Sequence, residues 1–270
     1  MKNKEKNFMS AIIYVYNSEN RIEHFLKMVL EVLEDNFEHS EIICVNDCSE
    51  DDSVRKIKSI SESATNTSIS VLNMSCFHGL EIAMNAGLDL AIGDFVFEFD
   101  TTYADFENKE IMRTYNRALE GYDIVCAMPD KKEKFSSKCF YQLFEHFSDL
   151  SYRMNTESFR ILSRRVINRI RSMNKTVPYR KAVYASCGLK TDLIVYKSCD
   201  KIKGIKKTDI KEKKYKSHLA IDSLILFTDV GYRFSIAMTG VMMFMSIFMI
   251  IYSIATYLIA HPVAGWTTTI

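Results

Sequence analysis

The sequence is poor in several features that mark large classes of proteins. With three prolines in 270 residues and no low-complexity stretch, it has no segment typical of a flexible linker. The formal net charge is +1, so nothing argues for nucleic acid as a partner. The seven cysteines are odd in number, scattered and without a Cys-x-x-Cys pair, which argues against a disulfide framework or a zinc site. The charged start MKNKEKNF lacks the apolar core of a secretory signal peptide, so we expect a cytoplasmic soluble part.

Charge is absent altogether from one long segment, Phe234 to Ala260. As a helix this segment would be about 40 Å long, which exceeds the roughly 30 Å hydrocarbon core of a bilayer. The alternative is a buried helix of a large soluble core, but such a helix rarely runs this far without a charged residue. The sequence therefore predicts a transmembrane helix over residues 233–260, and we interpret residues 261–270 as the start of a second membrane segment.

Positive charge is concentrated in the segment before this helix, residues 201–232. Its lysines are Lys201, Lys203, Lys206, Lys207, Lys211, Lys213, Lys214 and Lys216. A solvated loop would also be lysine-rich, but the position favours a basic juxtamembrane segment that faces anionic head groups on the cytoplasmic side. Residues 218–227 are expected to lie on the membrane surface. We therefore expect the protein at the cytoplasmic (inner) membrane.

Residues 1–200 carry the pattern of an α/β domain, in which short apolar runs alternate with helical patterns. Strands are predicted at Met9 to Tyr16, Glu41 to Val45, Ile69 to Leu72, Phe95 to Asp100, Asp123 to Ala127 and Leu193 to Tyr196. Helices are predicted over Ile22 to Leu33, from about Asp52, over Leu80 to Ala91 and before Asp123. Beyond Met128 the pattern is mainly helical.

Ligands of open α/β sheets bind beyond the carboxyl ends of the strands, which here are Tyr16 and Asn17, Asp47 and Asp100. Helix capping explains the polar run from Ser49 to Ser53 but explains Asp47 poorly. Asp100 ends an apolar strand, where a carboxylate needs a partner such as a metal ion. Hard oxygen ligands of this kind suit Mg²⁺ or Mn²⁺ that bridges a diphosphate. Glu98 is interpreted as a polar edge residue.

The order and spacing of several segments resemble family 2 glycosyltransferases, which have a GT-A fold. Within that family the chain looks most like the membrane-anchored polyprenyl-phosphate glycosyltransferases, such as the dolichol-phosphate mannose synthases. The resemblance extends over nearly the whole chain and rests on SAIIYVYNSEN (10–20), EIICVNDCSEDDS (41–53), FHGLEIAMNAGLDLAIGD (77–94) and FRILSR (159–164). It implies a cytoplasmic GT-A domain over residues 1–200, a Rossmann-like nucleotide-diphospho-sugar transferase domain, followed by interfacial and transmembrane helices.

The resemblance also implies roles for the residues at the strand ends. Tyr16, Asn17 and Asp47 would hold the base and ribose of a nucleotide-diphosphate sugar donor. Asp100 would be the catalytic metal ligand, binding Mg²⁺ or Mn²⁺ on the donor diphosphate.

Basic residues of the FRILSR motif are implied to meet phosphate. Arg160 and Arg164 would bind the phosphate charge of the donor, which an Arg fork can hold bidentately. For Arg165 a solvated helix start is preferred.

One departure from the family pattern concerns the metal. The family usually has Asp-x-Asp, whereas this chain has Asp100-Thr101-Thr102. A threonine hydroxyl is a much poorer ligand than a carboxylate. Asp105 is a candidate to reach in, and otherwise the diphosphate and water must complete the coordination shell.

The reaction this resemblance implies is transfer of a sugar from a nucleotide-diphosphate sugar to a polyprenyl phosphate, with inversion. Two alternatives stay open: a same-fold transferase that extends a lipid-linked saccharide in capsule or envelope polysaccharide synthesis, and an inactive membrane-bound binding or scaffold protein. A sugar hydroxyl acceptor requires a general base, whereas a phosphate does not. Glu157 is the candidate base, although an exposed surface glutamate is the preferred interpretation. A homo-oligomer is also considered.

Overall fold

The computed structural model describes residues 4–131, 135–146, 156–173, 179–199 and 210–260. In chain order it contains β1 (Met9–Val15), α1 (Ile22–Asn36), β2 (Ser40–Asn46), α2 (Ser53–Ser61), β3 (Thr67–Asn73), α3 (Leu80–Leu90), β4 (Phe95–Phe99), α4 (Asn108–Leu119), β5 (Ile124–Pro129), α5 (Phe135–His146), β6 (Phe159–Ser163), α6 (Arg164–Met173), α7 (Arg180–Ser186), β7 (Thr191–Tyr196), α8 (Ile210–Phe227) and α9 (Val230–Ala260). The chain divides into two compact units, residues 1–223 and residues 224–270.

The first unit is built on a seven-stranded mixed sheet in the order β3-β2-β1-β4-β6-β5-β7. Strands β1 to β4 are parallel, and β6 runs antiparallel to both β4 and β5. The fully buried run of β1 is mostly apolar and includes the β-branched residues Ile12, Ile13 and Val15, as expected for a central strand that is covered on both faces. This is the predicted α/β fold, and the predicted strands are confirmed to within two residues at each end.

Helix α1 shows why the sequence folds onto this sheet. Its apolar residues recur at helical spacing, and one face is buried, as predicted for Ile22 to Leu33. Each fully buried large apolar side chain of this kind contributes about 1.5–3 kcal/mol relative to an exposed one. Aromatic side chains fill the adjoining core, where Phe25 meets Phe99 edge to face at 5.3 Å between ring centroids.

Strand β6 was not predicted as a strand. It has only five residues, Phe159–Ser163, and α6 begins at the next residue. Arg160 interrupts its apolar run, although the side chain is buried. Both neighbours of β6 in the sheet are remote in sequence, so its partners are set by tertiary structure alone.

The first unit extends beyond the predicted boundary at residue 200 and takes in the first part of α8. The reason is Tyr215, whose hydroxyl accepts a hydrogen bond from Glu81 N (3.1 Å) and whose ring meets Phe77 edge to face. Residues 201–209, which hold half of the predicted lysine cluster, lie outside the described residues, and so do residues 261–270.

The second unit contains one helix, among the described residues, that is long and apolar enough to cross a membrane. Its span is Val230–Leu258, and none of its most apolar window is buried. The helix begins three residues before the predicted start at 233. Large side chains such as Phe244 and Leu258 are about two-thirds exposed in the chain alone, as lipid-facing side chains would be.

Candidate active site

Three of the predicted site residues meet at the carboxyl edge of the parallel strands. In the register of the sheet, Val15 lies beside Asn46 and Ile13 beside Phe99. Tyr16, Asp47 and Asp100 therefore follow neighbouring strands at the same edge, where α/β sheets bind ligands. A pocket at this edge is lined by side chains that include Tyr16, Arg21 and Asp100.

Asp47 is fully buried there and makes its hydrogen bonds within the protein. Its Oδ1 accepts from His78 N (2.8 Å), and its Oδ2 accepts from Gly79 N (2.8 Å) and from the Tyr14 hydroxyl (2.9 Å). Burial and the neighbouring carboxylate of Asp47 raise the pKa of Tyr14, which keeps this hydroxyl a donor. Through these hydrogen bonds Asp47 orders the turn before α3. Its side chain is 0% exposed, so it offers no surface to a nucleotide in this structure.

That turn depends on Gly79. Its φ of +86° is a left-handed conformation that favours glycine. A Cβ atom here would lie 2.1 Å from the Tyr215 ring, so α8 packs directly on the turn. The turn is therefore held by hydrogen bonds to Asp47 and by packing against Tyr215.

Tyr16 and Asn17 connect two loops at the same edge. The Tyr16 ring lies tilted on Phe77 at 4.8 Å between centroids and is 8% exposed. Asn17 has a φ of 42°; its backbone N–H donates to Ser49 Oγ, and its side-chain oxygen accepts from Glu50 N. Contact of these two residues with a nucleotide stays a prediction; Tyr16 lines the pocket, and Asn17 follows it in the chain.

Asp100 is held by two arginines. Arg160 Nη2 donates to its Oδ2 (2.8 Å) and Arg180 Nη2 to its Oδ1 (2.7 Å). Its side chain keeps 18% exposure, whereas both arginine side chains are 1% exposed. Burial alone would raise the pKa of Asp100, but the two guanidinium groups hold it well below the ordinary value. Asp100 is therefore ionised and is the partly exposed member of a buried charge cluster.

The cluster extends inward through Glu98, which the sequence did not predict as a site residue. Glu98 is completely buried and accepts from Arg160 Nη1 (2.9 Å), from Arg180 Nη1 and from the Tyr184 hydroxyl (3.0 Å). Arg180 also donates through Nε to Glu81 (3.0 Å). Each guanidinium thus bridges several carboxylates that come from remote parts of the chain.

Glu157 completes the cluster, and its interpretation as an exposed surface residue is wrong. Its side chain is 8% exposed and pairs with Arg160 (3.1 Å) and Lys181 (3.3 Å). Burial raises the pKa of Glu157, but these two cations outweigh burial and lower it. A carboxylate with a lowered pKa is a weaker base, which disfavours a general-base role.

Arg164 lies away from this cluster. Strand β6 runs antiparallel to β4, so Arg160 is paired with Glu98 near the ligand edge while Arg164 follows at the opposite edge. There its guanidinium donates to the carbonyl oxygens of Ala91 (2.9 Å) and Gly93 (2.8 Å). Its predicted contact with phosphate is therefore replaced by a structural one, which ties α6 to the turn before β4.

Arg165 and Asp105, the two other residues considered from the sequence, each form contacts within the protein. Arg165 is 66% exposed at the helix start, as predicted, and also pairs with Asp123 (2.5 Å). Asp105 accepts from Tyr196 (2.8 Å) and Ser158 (3.1 Å) through Oδ1, so this oxygen already has two donors.

The residues at the predicted metal site do not fit a divalent ion in this arrangement. Both oxygens of Asp100 accept hydrogen bonds from guanidinium groups, and Thr102 is 2% exposed and accepts one from Arg21 Nε (3.3 Å). Across the described ranges, no group of three or more His, Cys, Asp or Glu side chains is placed to hold a metal ion. A divalent ion at Asp100 would have to share both carboxylate oxygens with guanidinium groups, whose positive charge repels it.

Arg180, Lys181 and Glu81 were missed by sequence reasoning. A basic pair, Arg180-Lys181, at the start of an apolar helix and a glutamate within the apolar helix α3 were the available signals. Each alone is typical of a solvated helix end. Only the fold shows that Arg180 is buried against Glu81 and that Lys181 pairs with Glu157.

Comparison with known proteins identifies one family. Residues 10–177 match the model of the family described as Glycosyl transferase family 2. An uncharacterized glycosyltransferase of Synechocystis sp. is 31% identical over 194 residues, which cover 70% of this chain and 60% of that protein. A prophage bactoprenol glucosyl transferase homolog of Escherichia coli is 28% identical over 202 residues, which cover 73% of this chain and 65% of that protein. The chain thus spans less than two thirds of the length of these two relatives.

Solved structures share the fold. Glucosyl-3-phosphoglycerate synthase from Mycobacterium tuberculosis superposes with a TM-score of 0.53 at 14% identity, over 81% of this chain and 78% of that one. That enzyme is described in complex with Mn²⁺, UDP and phosphoglyceric acid. At this identity the likeness bears on the fold alone.

Proposed function

This chain belongs to glycosyltransferase family 2, and from that membership we propose that it transfers a sugar from a nucleotide-diphosphate sugar to a polyprenyl phosphate at the cytoplasmic face of a membrane. The fold places a pocket at the carboxyl edge of the sheet, as a nucleotide-sugar transferase requires. The acceptor, the membrane face and the donor contacts are the proposed parts.

One observation carries the choice of acceptor. The stretch that is similar to the bactoprenol glucosyl transferase homolog spans 73% of the chain, and the same chain contains a helix of membrane-spanning length and composition. Bactoprenol is a polyprenol, so its phosphate is a lipid acceptor that a membrane-anchored enzyme can reach. A soluble acceptor would give no reason for such a helix.

The proposed reaction needs no proton transfer. An oxygen of the lipid phosphate forms a bond to the anomeric carbon of the sugar, and the bond from that carbon to the diphosphate oxygen breaks. The electron pair leaves with the nucleoside diphosphate, and the configuration inverts. A phosphate monoester is already anionic at pH 7, so no base is required, in agreement with the lowered pKa of Glu157.

Asp100 is the cluster member that we expect to contact the donor. Of the residues in the cluster, it is the one that lines the pocket, and hydrogen bonds from Arg160 and Arg180 hold its carboxylate in place. Arg160 is too deeply buried to bind phosphate itself, so we propose that it positions Asp100. The family resemblance implies Mg²⁺ or Mn²⁺ on Asp100, but the described residues do not fit such an ion, so no step of the proposed reaction passes through a metal.

The test is sugar transfer to polyprenyl phosphate by the full chain in nanodiscs. A panel of radiolabelled UDP- and GDP-sugars would be supplied with Mg²⁺, with Mn²⁺ and with EDTA, and lipid products would be separated by chromatography. Transfer by the native protein that is lost in Asp100→Asn would support the proposal. Asp89→Asn is the matched control, since Asp89 is 69% exposed on α3 and should leave the rate unchanged.

Two other results would contradict the proposed acceptor. Transfer only to lipid-linked saccharides would favour the alternative in which the enzyme extends such a saccharide. Donor binding without any transfer, under every metal condition, would favour the inactive scaffold protein.

A further inference from the structure

We propose that Arg21 supplies the positive charge that binds the donor diphosphate, and that sugar transfer by this protein therefore needs no divalent metal ion. The inference rests on the proposed function, because it names the group that meets the donor of that reaction. It starts from the disagreement between the implied metal and the residues found at its site.

The side chain of Arg21 lies beside the position where the second metal carboxylate would be expected. Its Nε donates to Thr102 Oγ1 (3.3 Å), and Thr102 stands at the position where the family pattern usually has its second aspartate. Its Nη1 donates to the Tyr103 hydroxyl (3.0 Å), and its central carbon lies 4.2 Å from the centroid of the Tyr103 ring. Stacking and two hydrogen bonds together fix the plane of the guanidinium.

Among the described residues, Arg21 forms no ion pair with a carboxylate. Its acceptors are the hydroxyls of Ser18 (3.4 Å), Thr102 and Tyr103, all of which are neutral. Arg160 and Arg180, in contrast, each pair with several carboxylates. A guanidinium has five N–H donors, so Arg21 keeps two for a ligand. Phosphate oxygens match that fork bidentately.

Arg21 and Asp100 line the same pocket, together with Tyr16. A carboxylate at position 102 would accept from Arg21 Nε and neutralise it, leaving no free cation on that wall. Because position 102 is a threonine and not a carboxylate, the guanidinium of Arg21 keeps its positive charge available for a ligand. A fixed guanidinium takes over the charge that a metal would otherwise bring to the diphosphate.

Binding of nucleoside diphosphates in the absence of metal ions tests whether Arg21 binds the diphosphate. Calorimetry would compare UDP with uridine, and GDP with guanosine, on the full chain in nanodiscs, in EDTA and in Mn²⁺. We expect one diphosphate to bind more tightly than its nucleoside in EDTA, with no gain from Mn²⁺. Arg21→Gln should lower the diphosphate affinity roughly ten- to a hundredfold and leave nucleoside affinity unchanged.

Two variants keep the test decisive. Arg55→Gln is the matched control, because Arg55 is 77% exposed and pairs only with Asp52 among the residues the structure describes, and it should change nothing. Arg21→Lys keeps the charge but loses the fork, so its diphosphate affinity should fall between native and Arg21→Gln. It also replaces the glutamine variant should that variant fail to fold.

Three outcomes would overturn the inference. Diphosphate binding only in Mn²⁺, or native affinity in Arg21→Gln, would refute Arg21 as the diphosphate ligand, while transfer to polyprenyl phosphate in Mn²⁺ would leave the proposed function standing. Equal affinity for diphosphate and nucleoside in EDTA would refute it as well. Absence of both binding and transfer under all conditions would instead remove the proposed function.

Discussion

Replacing Arg180 with methionine removes a cation that three carboxylates share. Its Nε donates to Glu81 (3.0 Å), its Nη2 to Asp100 (2.7 Å) and its Nη1 to Glu98. The side chain is 1% exposed, so water cannot take its place. Removing one partner of a buried ion pair costs about 3–5 kcal/mol. At roughly 2–4 °C per kcal/mol for a unit of this size, we expect the melting temperature to fall by about 6–20 °C.

The pKa of Asp100 determines how this loss of stability depends on pH. In the native protein burial would raise that pKa, but Arg160 and Arg180 lower it, so the ionised carboxylate adds stability that disappears only as pH falls through the lowered folded pKa. Without Arg180 the burial and the guanidinium of Arg160 both remain, so the folded pKa of Asp100 rises from its lowered value but is still held down by one cation. The native protein therefore gains stability over the variant as pH rises between the two folded pKa values, and this gain is complete above them. The difference between variant and native should be larger near about pH 7 than near about pH 3.

Thermal unfolding of both proteins in detergent, followed by near-UV circular dichroism at the two pH values, measures this difference. Arg55→Met is the control, because exposed pairs such as Arg55 with Asp52 contribute only about 0–1 kcal/mol. A small loss of stability for Arg180→Met, equal at both pH values, would refute the reasoning. It would mean that water reaches the cluster and screens its charges.

Two further predictions concern carboxylates at the site. Asp47→Asn should lower the free energy of unfolding by about 1–3 kcal/mol, because His78 N and Gly79 N lose a charged acceptor, while calorimetry should show unchanged nucleoside affinity. A loss of nucleoside binding at native stability would instead place Asp47 in contact with the base. Glu157→Gln should keep the initial rate of transfer to polyprenyl phosphate, since that acceptor needs no base. A fall of about a hundredfold or more would favour a sugar hydroxyl as acceptor.

The edge of the sheet was predictable because strand periodicity is local. The strands end at Val15, Asn46 and Phe99, and parallel strands bring such ends to one edge. The sequence thus located the pocket without any knowledge of pairing partners. It could not show whether a strand-end carboxylate faces the pocket or the interior, which separates Asp100 from the fully buried Asp47.

The partners of those carboxylates were not predictable, since they depend on strand direction and on contacts across the chain. Arg160 and Arg164 belong to one short motif, yet about 13 Å of extended strand separates them, and they serve opposite edges of the sheet. The pairing of Arg160 with Glu98 follows from the antiparallel register of β6 and β4, which the sequence alone does not give. Arg180 comes to the same carboxylate from a position 82 residues away, which no local pattern reveals.

The charge balance of the site supports the proposal that donor binding depends on a cation in the pocket wall. Among the described side chains, the cluster sets the carboxylates of Glu81, Glu98, Asp100 and Glu157 against the cations Arg160, Arg180 and Lys181, so it keeps an excess of negative charge. A diphosphate would bring more negative charge next to it, which repels unless another cation faces the ligand.

Two described cations line the pocket, Arg21 and Lys216, and Lys216 is paired with Glu212 on its own helix. Lys216 is also half exposed, where solvent and salt screen its charge. Arg21 is partly buried and held by neutral hydroxyls, so its charge acts on the pocket with less screening. Donor affinity should therefore follow the charge at position 21 more closely than the concentration of metal ions.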